Sequence, residues 1–226
     1  MIIEPIAYIK TDFPEKFGVP RQSGRASEAL GRIFFTEKYS SREAIRGIEE
    51  FSYLWLIFDF SLSHSSSFSP TVRPPRLGGN KRVGVFASRS PFRPNSLGLS
   101  CVKLERIEES EKGAVLVVSG VDMTDGTPIY DIKPYIPYAD CKTDAKGSFA
   151  EENKAHRLAV VFPDKLLDIM PQEKSNALIQ CLADDPRPSY QDDAERVYGM
   201  KFSSFNVNFT VKGETLTVTD VRKDGD

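Results

Sequence analysis

The stretch RVGVFASRSPFRPNSLGLS, residues 82–100, sets Arg89 and Arg93 among serines and two prolines directly after an apolar run. Arginine forks grip carboxylates and phosphates, and a proline-braced turn holds them without the ordering cost of a mobile surface side chain. Three further segments share this stiffness. KFGVPRQSG, residues 16–24, puts Pro20 beside Arg21 and Gln22, and TVRPPRLGGN, residues 71–80, places Arg73 and Arg76 around a Pro-Pro pair. DMTDGTPIYDIKPYIPYAD, residues 122–140, carries Asp122, Asp125, Asp131 and Asp140 with Lys133 and three tyrosines. Together they supply what a nucleoside-bearing ligand needs. The arginines hold its anionic groups, and a carboxylate such as Asp125 accepts from ribose hydroxyls. Backbone groups beside glycines read a base edge, and Phe92 or Tyr135 stacks on a splayed base.

Several familiar chemistries are unsupported. The chain has no GxGxxG after a strand and no GxxxxGK[ST], so a Rossmann site and a P-loop are not expected. His64 and His156 are its two histidines, too few and too far apart for a metal site, and none is expected. His64 lies in SLSHSSSFSP, where a nucleophile and base could be imagined, but a solvated histidine in a serine-rich loop is the simpler reading. Cys101 falls in a strand pattern and reads as a small core residue.

Charge is distributed unevenly. Between Asp59 and Glu105 there is no acid but seven bases: Arg73, Arg76, Lys81, Arg82, Arg89, Arg93 and Lys103. Setting these seven aside leaves 23 bases against 32 acids, so a basic island sits on an acidic protein. That pattern points to a localised anionic partner such as a nucleic-acid backbone. No apolar run reaches the roughly 18–20 residues of a membrane span, and the opening MIIEPIAYIK lacks the basic and apolar regions of a secretion signal. Three scattered cysteines, none in a CxxC pair, fit a reducing cytoplasm.

The elements that position these residues read as mainly β. IIEPIAYIKT, FSYLWLIFDF, SCVKLERI and GAVLVVSGV are strand patterns, and a short strand is expected from Val83 to Phe86. Ser40 and Glu43 form a capping-box pattern that predicts a short helix carrying Ile45 and Ile48. IYDIKPYIPY reads as a stiff loop. Short strands with ornate loops predict a β-barrel over residues 1–140. A small α+β domain is expected over residues 141–226, with helices at DKLLDIM and PQEKSNALIQCLAD, the latter with Leu178, Ile179 and Leu182 on one face. FNVNFTV and TLTVTDV alternate around KGE and predict a closing hairpin.

KFGVPRQ, TVRPPRLGGN, RVGVFASRSPFRPNSLGLS, DGTPIYDIKPYIPYAD and DPRPSY (residues 185–190) resemble the TrmO (TsaA-like) family, over a span from Pro5 to about Tyr190. The resemblance implies an S-adenosylmethionine-dependent methyltransferase on a β-barrel instead of a Rossmann sheet, acting as a homodimer in the cytoplasm. Its substrate would be threonylcarbamoyladenosine at position 37 of the tRNA anticodon loop, methylated at N6. Carried over motif by motif, the cofactor contacts fall on Pro20, Arg21 and Gln22, on Ser61 and Leu62, on Arg89 and Leu99, and on Asp125, Gly126, Thr127 and Pro128. Many relatives carry histidine where this chain has Ser61. Arg73, Arg76, Lys81, Arg82, Arg93 and Lys133 are then expected to meet the tRNA. The acceptor nitrogen is ureido-like and gains from losing its proton. Asp122, Asp125 and Asp131 are equal candidates to take it, with Tyr130 or Tyr135 to orient the ring. A non-catalytic barrel that binds the cofactor or RNA is the alternative.

Overall fold

A computed structural model describes residues 2–74, 81–152, 156–188 and 193–225. Six strands close into one barrel: β1 (Ala7–Thr11), β2 (Leu30–Phe35), β3 (Tyr53–Asp59), β6 (Leu97–Ser110), β7 (Gly113–Ser119) and β8 (Thr127–Pro134). Their order is β1-β2-β7-β6-β3-β8. Between β3 and β6 lies the two-residue pair β4 (Thr71–Val72) and β5 (Val83–Gly84). Alternation fills the interior with Ile9, Ile33, Leu54, Leu56, Val102, Leu116 and Ile129, each no more than 1% exposed. Space is tight enough that a Cβ on Gly98 would stand 2.2 Å from the Phe58 ring.

Three local expectations are corrected. IYDIKPYIPY begins as strand β8, whose Pro128 lacks a ladder N–H; it is accommodated at the barrel seam, where β1 and β8 share three residue pairs. The expected helix after Ser40 is a run of 3-10 turns. Ser41, not Ser40, caps Arg42–Ile45 by accepting the Glu43 N–H at 3.3 Å, and Gly47 at φ +83° breaks the run before a further 3-10 turn, Ile48–Glu50. The strand at Val83 stops after Gly84, and Val85–Ala87 form a 3-10 turn that buries Val85 and exposes Phe86.

The second sheet, β10-β11-β12-β9, is built from β9 (Ala159–Val161), β10 (Tyr198–Phe202), β11 (Phe205–Lys212) and β12 (Thr215–Lys223). The hairpin read at the end of the chain is β11 and β12; β9 and β10 were hidden by their brevity and the glycine at 199. Among the described residues four α-helices accompany the strands: α1 (Pro137–Asp140), α2 (Phe149–Glu152), α3 (Asp164–Leu167) and α4 (Gln172–Ala183). α4 buries Leu178 and Leu182 beside Ala177 and Cys181, while Ile179 is half-buried.

The apolar cluster runs from the barrel into this sheet. Phe13, just past β1, meets Phe202 edge-on at 5.7 Å, and Gly18 lies so close to Met200 that a Cβ would stand 2.3 Å from its Cε. The β1–β2 loop is therefore wedged between barrel and second sheet.

Candidate active site at the barrel mouth

Register brings the ends of β1, β3 and β7 and the starts of β2, β6 and β8 to one end of the barrel. Thr11 pairs with Gly31, Ile9 with Thr127, Leu30 with Ser119, and Asp59 with Leu97. The β1–β2 loop crosses this mouth and bonds to the β3–β6 connection at Arg89 and Leu62 and to the β7–β8 turn at Asp125. Gln22 accepts from Arg89 through its side-chain carbonyl, and Gln22 Nε2 donates to the Arg21 carbonyl at 2.6 Å. Lys16 Nζ donates to the Leu62 carbonyl at 3.0 Å. Asp125 N–H donates to the Phe13 carbonyl at 2.8 Å, while Asp125 Oδ1 accepts the Thr11 N–H at 2.9 Å.

Asp122 lies among these groups at the mouth. Its Oδ1 accepts from Ser100 Oγ at 2.6 Å, and the Ser23 N–H also donates to its carboxylate. Burial nevertheless dominates and pushes its pKa up to about 6, against the opposing effects of those donors, its own N–H and the Arg89 charge. A carboxylate at this pKa is ionised at neutral pH and basic enough to accept a proton. Asp125 is exposed, three residues on, and serves the backbone of β1. Asp131 lies along β8 with its Oδ2 on Lys133 Nζ at 2.8 Å. Of the three carboxylates left open by the sequence, Asp122 combines a pKa raised by desolvation with contact to both Ser23 and the Arg89 field.

Other candidates fall in different places. Gly126 closes the DGTP turn at φ +74°, with Thr127 N–H and Oγ1 donating to the Thr124 carbonyl at 3.3 and 2.7 Å. No atom lies within 4 Å of where its Cβ would be, so the turn is open to a ligand. Pro20 is buried, and Arg21 directs Nη2 to the Asp185 and Arg187 carbonyls at 3.3 and 2.5 Å. Ser61, Leu62 and Leu99 are exposed, and Pro128 is half-buried on the outer side of β8. Arg93 staples its own turn, donating from Nη1 to the Ser88 and Val85 carbonyls at 2.8 and 3.3 Å, with its guanidinium 5.8 Å from the Phe86 ring centre. Arg73, Lys81 and Arg82 are exposed; Arg76 lies outside the described residues. Lys133 stands six residues along β8 from Thr127, about 20 Å by strand rise, toward the opposite end.

His64 has an acidic partner that the sequence did not announce: its Nε2 lies 2.7 Å from Asp59 Oδ1. The nearby hydroxyl of Ser65 donates to the Ser67 carbonyl at 3.1 Å, not to the ring. Among the described residues no cluster of three or more His, Cys, Asp or Glu side chains is grouped to hold a metal, and no helix is long and apolar enough to cross a membrane.

Family models match most of the chain: the tRNA-methyltransferase O N-terminal domain over residues 8–141 and the TrmO C-terminal domain over residues 155–224. The chain belongs to the TrmO family. It is 40% identical over 216 residues to the tRNA (adenine(37)-N6)-methyltransferase of Escherichia coli K12, covering 92% of each chain. A probable S-adenosyl-L-methionine-binding protein of Pyrococcus abyssi is 37% identical over 154 residues, 68% of this chain and 78% of that one. The crystal structure of TrmO from Pseudomonas aeruginosa superposes with a TM-score of 0.79 at 33% identity, covering 98% of both chains.

Two polar groups of this TrmO mouth were not singled out in the sequence. Ser100 sits between Gly98 and Val102 on the inward phase of β6, and a hydroxyl on an inward strand position is the signal that could have found it. Ser23 contributes through its main chain, which no side-chain motif reveals.

Proposed function

We propose that this TrmO-family chain is an S-adenosylmethionine-dependent tRNA methyltransferase acting on N6 of threonylcarbamoyladenosine at position 37 of the anticodon loop. The reading is supported by the full-length similarity to tRNA (adenine(37)-N6)-methyltransferases. The observation that carries it is the meeting of Asp122, Ser100, Ser23, Gln22 and Arg89 at the mouth.

The residues present suit the cofactor. Arg89 offers a guanidinium to a carboxylate, Leu62 and Leu99 are 53% and 54% exposed for apolar contact, and the open Gly126 turn admits close backbone approach. Pro20, Arg21, Gln22, Ser61, Leu62, Arg89, Leu99 and Asp125 to Pro128 would frame it. S-adenosylmethionine, when bound, supplies an electrophilic methyl group. The protein's part is to hold the acceptor base in line and to take its proton. Asp122 is the base, kept in readiness by burial and oriented by the Ser100 hydroxyl. Arg73, Lys81 and Arg82, with Arg76, provide the tRNA footprint, and Arg89 serves the reacting end.

The same reading assigns methyl transfer to residues 1–140 and a supporting α+β unit to residues 141–226. It also makes the protein a homodimer. On the outer barrel surface Tyr8 of β1 and Leu97 and Leu99 of β6 are 44%, 37% and 54% exposed, and a two-fold copy would cover them. Three free thiols, Cys141 among them exposed, suit work in a reducing cytoplasm.

The test is methyl transfer in vitro. Wild type and an Arg89→Ala, Asp125→Ala double variant are incubated with S-adenosylmethionine and tRNA bearing unmethylated threonylcarbamoyladenosine. Digested nucleosides are then weighed by mass spectrometry. A threonylcarbamoyladenosine heavier by one methyl group, formed by wild type and not by the variant, is expected. Cofactor binding without any nucleoside gaining mass would overturn the enzyme reading in favour of a binding module.

A further inference from the structure

We propose that Asp184, at the end of α4 in the second unit, is a positioning residue that clamps residues 21–25 and so holds the Ser23 N–H on Asp122. The proposal rests on the reading of Asp122 as the base only for its catalytic consequence; the clamp itself is a matter of geometry.

Asp184 is 3% exposed and lies far from the mouth in sequence. Its Oδ1 accepts from both Nε and Nη2 of Arg25 at 2.6 Å, and its Oδ2 accepts the Arg21 N–H at 3.4 Å. Each end of the segment is fastened again nearby. Arg21 Nη2 donates to the Asp185 and Arg187 carbonyls at 3.3 and 2.5 Å. Arg25 Nη2 donates to the His156 carbonyl at 3.0 Å, and Arg157 Nη2 donates to the Arg25 carbonyl at 2.5 Å. Asp185 holds a left-handed φ of +53°, with its carboxylate on Arg187 Nε at 2.9 Å, so the acceptor carbonyls of this turn are themselves fixed.

Between the two arginines lie Gln22, the partner of Arg89, and Ser23, the main-chain donor to Asp122. Gly24 N–H donates to the Gly120 carbonyl at 2.9 Å, and a Cβ on Gly120 would stand 3.2 Å from the Gly24 backbone, so the segment is pressed against residues 120–122. A buried carboxylate fastened at both ends of a five-residue span thus sets the position of two groups that act on Asp122. Loosening the span withdraws an N–H donor and slackens the hold on Arg89. Both changes disfavour the anion, so the Asp122 titration should move upward. The groups that face Asp122 are the Ser100 hydroxyl, the Ser23 and Asp122 N–H groups, and the Arg89 charge; Ser100 is untouched by the change.

The experiment uses the full chain without cofactor or tRNA. Amide hydrogen exchange across residues 21–25 and the carboxyl-carbon NMR titration of Asp122 are measured in wild type, Asp184→Ala and Asp184→Glu. Faster exchange and a midpoint raised by roughly half to one unit are expected in Asp184→Ala, with partial return in Asp184→Glu. If Asp184→Ala does not fold, Arg25→Gln opens the same ion pair from the other side and is read identically. Unchanged exchange and an unchanged midpoint in a folded variant would overturn the clamp. These readouts need no turnover, so a wild type that transfers no methyl group would defeat the functional reading while leaving the clamp standing. In the active enzyme, the acid limb of kcat/KM should move upward with the titration.

Discussion

The two sides of the barrel mouth are built on opposite principles. On one side, residues 20–25 are fastened by ion pairs and carbonyl acceptors from the second unit, and they present Gln22 and Ser23 to Arg89 and Asp122. On the other, residues 61–74 are largely exposed, and their serines bond within the segment: Ser65 Oγ donates to the Ser67 carbonyl at 3.1 Å, and Ser69 Oγ to the Thr71 carbonyl at 2.8 Å. Lys16 Nζ on the Leu62 carbonyl at 3.0 Å ties this side to the first. Proton transfer is sensitive to sub-ångström placement, whereas adhesion to a polyanion is served by exposed charge at looser geometry. The proposed function therefore assigns chemistry to the fastened side and tRNA adhesion to the open one.

That contrast can be broken most sharply at Asp122. Asp122→Asn keeps the shape and removes the base, and kcat should fall by about 10²–10⁴-fold, measured in single turnover at saturating cofactor. The same variant should be more stable at neutral pH. A carboxyl whose folded pKa is raised favours the folded state below its unfolded pKa, and that contribution is lost as pH rises through about 6. Removing the charge should therefore raise stability at pH 7 by on the order of 1 kcal/mol, read by denaturant unfolding. A less active but more stable protein separates strain at a site from damage to the fold.

Next in size is Arg89→Ala, expected to weaken cofactor binding by about tenfold or more through removal of a charge-assisted hydrogen bond, measured by calorimetry. Arg93→Ala sharpens the comparison from the structural side. Because Arg93 donates to the Ser88 and Val85 carbonyls, its loss should lower the melting temperature while leaving the salt dependence of tRNA binding near that of wild type. The smallest effect belongs to the open side. Lys81→Ala with Arg82→Ala should weaken tRNA binding a few-fold and reduce its log–log salt slope by roughly one for each phosphate no longer neutralised, with kcat little changed. An altered kcat with an unaltered salt slope would reverse the assignment of the two sides.

The sequence revealed the parts of this molecule that depend on local pattern. Dense apolar runs marked β3 and β7, alternation marked β11 and β12, and the proline-rich motifs carried the family because they are long and idiosyncratic. β8 was read as a loop because its prolines argue against a central strand, yet the barrel seam tolerates one where the shared ladder is short. β2 and β10 have weaker patterns and acquire their identity from neighbours. At the site, Arg89 was expected at the cofactor and Arg93 at the tRNA from one turn; only folding shows that Arg89 bonds Gln22 while Arg93 donates to the backbone of its own turn. Asp122, Asp125 and Asp131 were indistinguishable, since burial and partners at Ser100 and Ser23 are long-range facts. Asp184 and Arg25 stand 159 residues apart, and no local pattern links them.

The most direct measurement is the pH dependence of methyl transfer to tRNA, followed as kcat/KM between pH 5 and 8.5 for wild type and Asp122→Asn. For wild type, the rate should rise with pH as Asp122 ionises, with a midpoint near 6, and then level off. Asp122→Asn should be slow throughout and lack that limb. A wild-type rate that stays flat across the range, or an Asp122→Asn enzyme that keeps the wild-type limb, would contradict Asp122 as the base and move the chemistry elsewhere on the mouth.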